Sequence, residues 1–463
     1  MPDDVFAPLL ARISELGPCH SFGRVAALSD RALTVEGLAR VAALGDAVRI
    51  EDGPAGEVVG IGAQGCTVLT EGRSDGLRIG ARVRHLGPRR IAPGAHWIGR
   101  IIDPDGLPLD GRPLFPGANA MPLQAPPPAA TARRGMGARL SSGLAVFDTM
   151  LPIARGQRIG LFAGSGVGKS TLLSQLARGV AADVVVIGLI GERGREVRDF
   201  VEDTLGPEGL SRAVVVAATS DRSALTRRRA AWTMMCVAEF FRDRGAHVLL
   251  LADSMTRFAE AQREVAVASG EAAALRGYPA SMAQAMMSLC ERAGPGAAGQ
   301  GDITAILSVL VAGSDMEEPV ADILRGVLDG HVVLDRAIAE RGRFPSVDLL
   351  RSVSRSLPRA AGPKENRLIG AARRYLGAYE RCELMLHAGL YAEGSDPVSD
   401  KAIRIWPALD GFLSGRSDSP AAAFDTLRGI LSDPPGEGPA DEAEGTAASG
   451  ASAATGVGVG DRS

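Results

Sequence analysis

Cysteine is scarce in this chain. Five residues (Cys19, Cys66, Cys236, Cys290 and Cys382) are scattered over 463 positions, odd in number and never in a CxxC pair. That pattern argues against a zinc site and against a disulfide framework, so a reducing compartment is expected. Neither charge sign dominates: 51 basic residues face 54 acidic ones, a net charge of −3. No strong electrostatic pull toward nucleic acid or anionic lipid follows. No uninterrupted apolar run reaches about 18 residues, and no signal peptide opens the chain. A cytoplasmic protein is expected, with any membrane contact peripheral. Between Gly23 and Pro93 there is no Phe, Tyr or Trp, so that stretch lacks the stacking surfaces of an RNA-binding module.

What is present is the segment GLFAGSGVGKSTLL, starting at Gly160. An apolar run leads into glycines, then into a lysine, a serine and a helix-forming stretch. Glycine permits the tight turn that aims successive N–H groups at a phosphate. The helix that follows points its positive dipole end at the same anion. Gly164, Gly166, Val167, Gly168, Lys169, Ser170 and Thr171 form this loop. Lys169 is placed to reach the β- and γ-phosphates, and Ser170 to hold Mg2+ through its hydroxyl. The eight-residue pattern departs at its first position, which is Ala163 rather than Gly. ATP and Mg2+ are the expected ligands.

At this length two or three domains are expected. Residues 3–16 place Val5, Phe6, Leu9, Leu10, Ile13 and Leu16 at helical spacing, an amphipathic helix assigned to residues 1–20. From 21 to 93, short β-rich runs alternate with Gly, Asp and Pro turns, which predicts a small β-barrel. A Pro- and Gly-rich connector containing Pro126-Pro-Pro128 reads as turn and extended chain. Beyond Arg133 the apolar runs at 184–190, 213–217, 248–252, 304–310 and 332–333 read as buried parallel strands. The fold class is therefore α/β, with a nucleotide-binding domain assigned to 94–363. Helical patterns return at 367–386, 400–413 and 421–431, giving a helical domain over 364–432. The tail 433–463 is rich in Pro, Gly, Ala, Ser and acidic residues, a composition expected to stay disordered.

Hydrolysis needs more than a phosphate cradle. Asp253 ends the apolar run at 248–252, which suits the second side of a Mg2+ site; it also suits an N-cap for the following helix. Glu192, in IGERGRE, ends another apolar run at the same expected sheet edge, where ligands bind in open α/β folds. The alternating acids and arginines there fit a water-polarising group and a solvated charged face equally well. Arg227-Arg-Arg229 reads as a solvated helix start. Arg355, in SVSR, carries no mark of its own.

Taken together, GLFAGSGVGKSTLL, IGERGREVRDF, SALTRRRAAW, DSMTRFAEAQRE, LDGHVVLDR, FPSVDLLRSVSR and YAEGSDPVSDKAI resemble the flagellum-specific ATPases of type III protein export, within the rotary hexameric ATPases. The likeness runs from about residue 20 to 415. It implies an N-terminal β-barrel, a RecA-like P-loop core, a C-terminal helical domain and a homohexameric ring with nucleotide between subunits. It implies that Glu192 activates water, Arg193 lies beside the γ-phosphate, Arg355 serves the neighbouring subunit and Phe344 stacks on adenine. It further implies a stator-like regulator at the N-terminal helix. A central stalk protein, export chaperones and substrates would meet the C-terminal domain, beside a membrane export gate. The chain lacks the acidic DELSEED-like segment of rotary synthase subunits and reads LYAEGSDP from Leu390 instead. A non-catalytic ring subunit is disfavoured by Glu192, where such subunits carry glutamine. A virulence-system ATPase stays open as the alternative to the flagellar one.

Overall fold

The first described strands close on themselves. The computed structural model describes residues 20–29, 32–311 and 316–432; the expected helix over 3–16 and the tail 433–463 lie outside them. Strands β1 (Phe22–Leu28), β2 (Ala32–Glu36), β3 (Asp46–Ile50), β4 (Ala55–Gly62), β5 (Gly65–Thr70) and β6 (Arg82–Pro88) form an antiparallel barrel in the order β1-β2-β5-β4-β3-β6. Alternation decides which side chains fill it: Leu33 and Val35 of β2 are buried, while Thr34 between them is partly exposed. Val25, Val48, Ile50, Val58, Val68 and Val83 complete the interior. Closure removes the free strand edges that would otherwise invite aggregation.

A second sheet follows: β7 (Arg100–Ile102), β8 (Arg158–Ala163), β9 (Val184–Glu192), β10 (Ala213–Thr219), β11 (His247–Asp253), β12 (Asp302–Leu310), β13 (Gly330–Leu334) and β14 (Val347–Ser354). Its order is β14-β13-β8-β12-β11-β9-β10-β7. All neighbours on this path are parallel except β13 and β14. Both faces are covered, so the strands read as continuous apolar runs. In β9, Val185, Ile187 and Leu189 point into one core; Val184, Val186 and Ile190 point into the other.

The helices that matter for function are α1 (Lys169–Gly179), α2 (Ala224–Arg242), α3 (Met255–Ala268), α4 (Ala280–Arg292) and α5 (Pro319–Val327). Three more, α6 (Pro363–His387), α7 (Pro397–Ser414) and α8 (Pro420–Ser432), close the described chain. Each of the last three opens on proline, whose missing N–H is harmless in a first turn. Their apolar sides (Ile369, Leu376, Ile405, Leu409, Phe424 and Leu427 among them) merge with the core that contains α1.

The connector reads as turn and extended chain, and within it Arg100–Ile102 pairs as an edge strand against β10. One expectation changes. The arginine run of α2 is not solvated. Arg228 and Arg229 are 6% and 1% exposed. Arg229 donates to both oxygens of Asp105, at 2.9 and 3.0 Å, and to Glu71. Arg228 donates to Glu57 on β4 and to Gln262 at 3.1 Å, with its guanidinium over the Trp232 ring. Arg227 grips Glu264 at 2.8 and 2.9 Å. Successive helix residues diverge by about 100°, so three neighbours in sequence face three surroundings. Two of them tie the barrel to the core.

Candidate functional site: a phosphate-loop cleft

The loop between β8 and α1 sits at the carboxyl ends of the central strands, where open α/β sheets bind ligands. Gly166 and Gly168 have φ of +78° and +81°, the left-handed region that glycine alone enters freely. At Gly168 space adds a second constraint: a Cβ there would come within 3.0 Å of the Phe344 ring. Val167 points the other way, buried at 2%, and its carbonyl accepts the Ser346 hydroxyl at 2.8 Å. That anchor from below leaves the loop's upper face to a ligand. Gly168 caps α1 without any side-chain bond, so the first-turn N–H groups keep their capacity for an anion.

A cleft of about 1140 Å³ opens above the loop. Gly164, Gly166, Gly168, Lys169, Ser170, Thr171, Glu192 and Arg193 line it. Lys169 Nζ pairs with Asp253 Oδ1, and the Ser308 hydroxyl donates to the same oxygen at 2.8 Å. Asp253 is 4% exposed and ends β11. It does not cap α3; Ser254 does, accepting from the Arg257 N–H at 3.4 Å.

Glu192 ends β9. Its Oε1 is buried with no hydrogen-bond partner. Burial first, then the nearby charge of Asp253, pushes its carboxyl up to about 7, against the opposing pull of Lys169. A buried carboxylate oxygen without a protein donor, at the edge of a phosphate cradle, is fitted to hold a water.

Arg193 is 77% exposed at its side chain and 3.5 Å from Glu196. Phe344, 49% exposed, presents its ring beside the loop rather than inside the cleft. Arg355 is not brought into the cleft. It follows β14 at the far sheet edge, exposed, with Nη2 donating to the Arg325 carbonyl at 3.3 Å.

Sequence reasoning missed several lining residues, including Arg227, Arg257, Arg276, Tyr278 and Glu264. Arg257 was visible only within the quoted segment DSMTRFAEAQRE; its buried Nε lacks a partner, and its stem packs on Gly191. Nothing in the spacing of Arg276 or Tyr278 marks them.

Hydroxyl and carboxylate oxygens at Ser170 and Asp253 are hard donors of the kind Mg2+ takes together with substrate phosphates. Among the described residues no group of three His, Cys, Asp or Glu side chains forms a metal cage. Among them, too, no helix is long and apolar enough to cross a membrane.

Residues 143–354 match the ATP synthase alpha/beta family, nucleotide-binding domain, and residues 361–431 match the T3SS EscN ATPase C-terminal domain. A "Flagellum-specific ATP synthase" of Caulobacter vibrioides is 46% identical over 91% of this chain and 98% of its own length. The "Type 3 secretion system ATPase" of Pseudomonas syringae pv. tomato is 41% identical over 91% of this chain and 95% of its own length. Among solved structures, the assembled ATPase EscN of the enteropathogenic E. coli type III secretion system superposes with a TM-score of 0.81. It is 35% identical, over 88% of this chain and all of that one. EscN in complex with its central stalk EscO gives 0.80 at the same identity and coverage.

Proposed function

The chain belongs to the flagellar and type III secretion ATPases of the ATP synthase alpha/beta family, and from that premise we propose that it drives flagellar protein export by hydrolysing Mg-ATP in clefts shared between six copies. ATP hydrolysis for type III export follows from membership of the family. Flagellum-specific relatives run from 39% to 46% identical and the secretion-system ones stand at 41%, so the flagellar assignment leans on the upper end of that range.

The observation that carries the catalytic reading is the unpartnered Glu192 Oε1 beside the Lys169–Asp253 pair. In this reading Lys169 exchanges Asp253 for the β- and γ-phosphates. Ser170 and Asp253 hold Mg2+, which when bound neutralises charge on the phosphates. Glu192 orients the attacking water and accepts its proton. Arg193 faces the γ-phosphate from the open side, and Phe344 offers its ring to the adenine. The site still lacks a cation for the transition state, and Arg355 of a neighbouring copy supplies it.

The same reading divides the chain into a barrel domain at 21–93, an ATPase domain at 94–363 and a helical domain at 364–432. A stalk protein, chaperones and substrates meet the helical domain, and hydrolysis in the nucleotide clefts releases chaperones and promotes substrate delivery to the membrane export gate. A stator-like regulator meets residues 1–20. The test is ATP hydrolysis by the purified chain over a wide concentration range. Activity per molecule is expected to rise steeply as rings form. Constant activity per molecule down to the monomer would contradict a shared site.

A further inference from the structure

Helix α5 meets the nucleotide cleft at one end and Arg355 at the other. Its N-terminal end lines this subunit's own cleft through Glu318, Pro319 and Val320. The cleft-lining Arg276 also donates to the Glu317 carbonyl at 2.9 Å, just before the helix. At its other end, the Arg325 carbonyl accepts Nη2 of Arg355 at 3.3 Å. The nine residues of α5 span about 13 Å, and Val320, Ala321 and Leu324 bury one face of it. A short helix anchored along a face shifts as a unit rather than bending.

The hold on Arg355 has a plain cause. The last carbonyls of a helix have no intrahelical partner, and the negative dipole end favours a cation. The Leu324 carbonyl is satisfied by the Leu328 N–H at 3.0 Å, and the Arg325 carbonyl takes the guanidinium. The main chain of Arg355 is fixed separately: its N–H donates to the Asp329 carbonyl at 3.0 Å, while the Asp329 carboxylate holds Arg158. The backbone is therefore anchored and the exposed side chain is held by one hydrogen bond.

We infer that α5 is the positioning element for Arg355: its last turn retains the guanidinium until ligand at the helix's first turn shifts it, so the state of one cleft sets when the arginine reaches the next. The inference rests on Arg355 acting in a neighbouring copy. It assigns Gly326, in that last turn, a control over turnover although it contacts neither ligand nor cleft.

Gly326→Ala tests it in full-length rings. A Cβ at Gly326 meets nothing within 4 Å, and alanine steadies a helical turn. A steadier turn keeps its grip. The expected result is kcat lowered about two- to fivefold, the scale of one exposed hydrogen bond, with KM for ATP unchanged. The Hill coefficient for ATP falls toward 1, and resistance to heat is equal or higher. A purely structural role would move heat resistance and leave kcat alone. Unchanged kcat, or an unchanged Hill coefficient, in assembled Gly326→Ala rings overturns the inference. Arg355→Ala measured alongside separates the two failures. If it turns over normally, the shared-site reading falls and the positioning role with it; if it is inactive while Gly326→Ala behaves as the parent, only the positioning role falls.

Discussion

Arg228 and Arg229 sit in the seam between barrel and core, with side chains 7% and 1% exposed, each against a carboxylate of the barrel. Arg193 and Arg355 stand at open edges, one 77% exposed and 3.5 Å from its acidic neighbour, the other on a single carbonyl at 3.3 Å. The residue type is the same and the physical situation is opposite. A buried guanidinium must be paired, because an uncompensated charge there is costly. An exposed one gains little from any partner and stays available. The seam arginines hold the barrel to α2, while the open ones leave most of their charge in solvent. The helix that carries the seam also carries Arg227, which lines both the nucleotide cleft and the adjoining cleft under the barrel.

The sharpest way to break this comparison is to remove one arginine from each set. Arg355→Ala is expected to lower turnover by about 10³- to 10⁵-fold, the range for a transition-state arginine, while each chain still binds ATP and melts as the parent does. Steady-state hydrolysis, nucleotide binding and a thermal melt together check this. Arg229→Ala should do the reverse. It removes one of the two guanidinium groups that Glu71 and Asp105 share, Arg89 staying on both, so stability should fall, by less than the about 3–5 kcal/mol of a fully broken buried pair. ATP binding at low temperature should persist. If Arg229→Ala melted like the parent, the seam would not be structural.

Glu192 sharpens the same contrast from the acidic side. Glu192→Gln is expected to cut turnover about 10²- to 10⁴-fold, as for a lost general base, and to spare nucleotide binding. The pH dependence has a definite sign. The folded carboxyl titrates near 7, above its ordinary range, so its protonated form is the favoured one. Ionisation therefore costs folded-state stability as pH rises from about 4.5 to about 7, and the cost then stays constant. With the group only partly buried, it amounts to roughly 1–2 kcal/mol. Glu192→Gln should thus gain more in melting temperature at pH 8 than at pH 5. Turnover of the parent should rise through pH 7 as the base ionises. A stability gain that was the same at both pH values would contradict the burial argument.

The phosphate loop was legible because its chemistry is local: glycine, lysine, serine and a helix start fall within eleven residues. The barrel showed through short β-rich runs between turns, the central strands through apolar runs and the last helices through their helical pattern. The proline starts of those helices, at 363, 397 and 420, lie one to four residues earlier than that pattern placed them. What stayed hidden depends on distant partners. Arg228 and Arg229 look like surface charge until Glu57, Glu71 and Asp105 arrive from the barrel and connector. Asp253 was ambiguous until Ser254 proved to be the cap. Glu192 could be a solvated acid or a buried one, and only its burial beside the Lys169–Asp253 pair decides that. Arg276 and Tyr278 enter the cleft from a loop with no sequence signal at all. Arg355 lies outside the phosphate-loop cleft of its own chain, so neither spacing nor the single-chain fold marks it.

The most direct test of a site completed between copies mixes two inactive variants. Lys169→Ala lacks the phosphate clamp and keeps Arg355; Arg355→Ala lacks the arginine and keeps the clamp. Each alone should be nearly without turnover. In mixed rings, a subunit with an intact clamp can receive Arg355 from its neighbour, so hydrolysis is expected to reappear, greatest near equal proportions. If assembled mixed rings remained as inactive as either parent, Arg355 would serve its own subunit, and the shared-site account would be wrong.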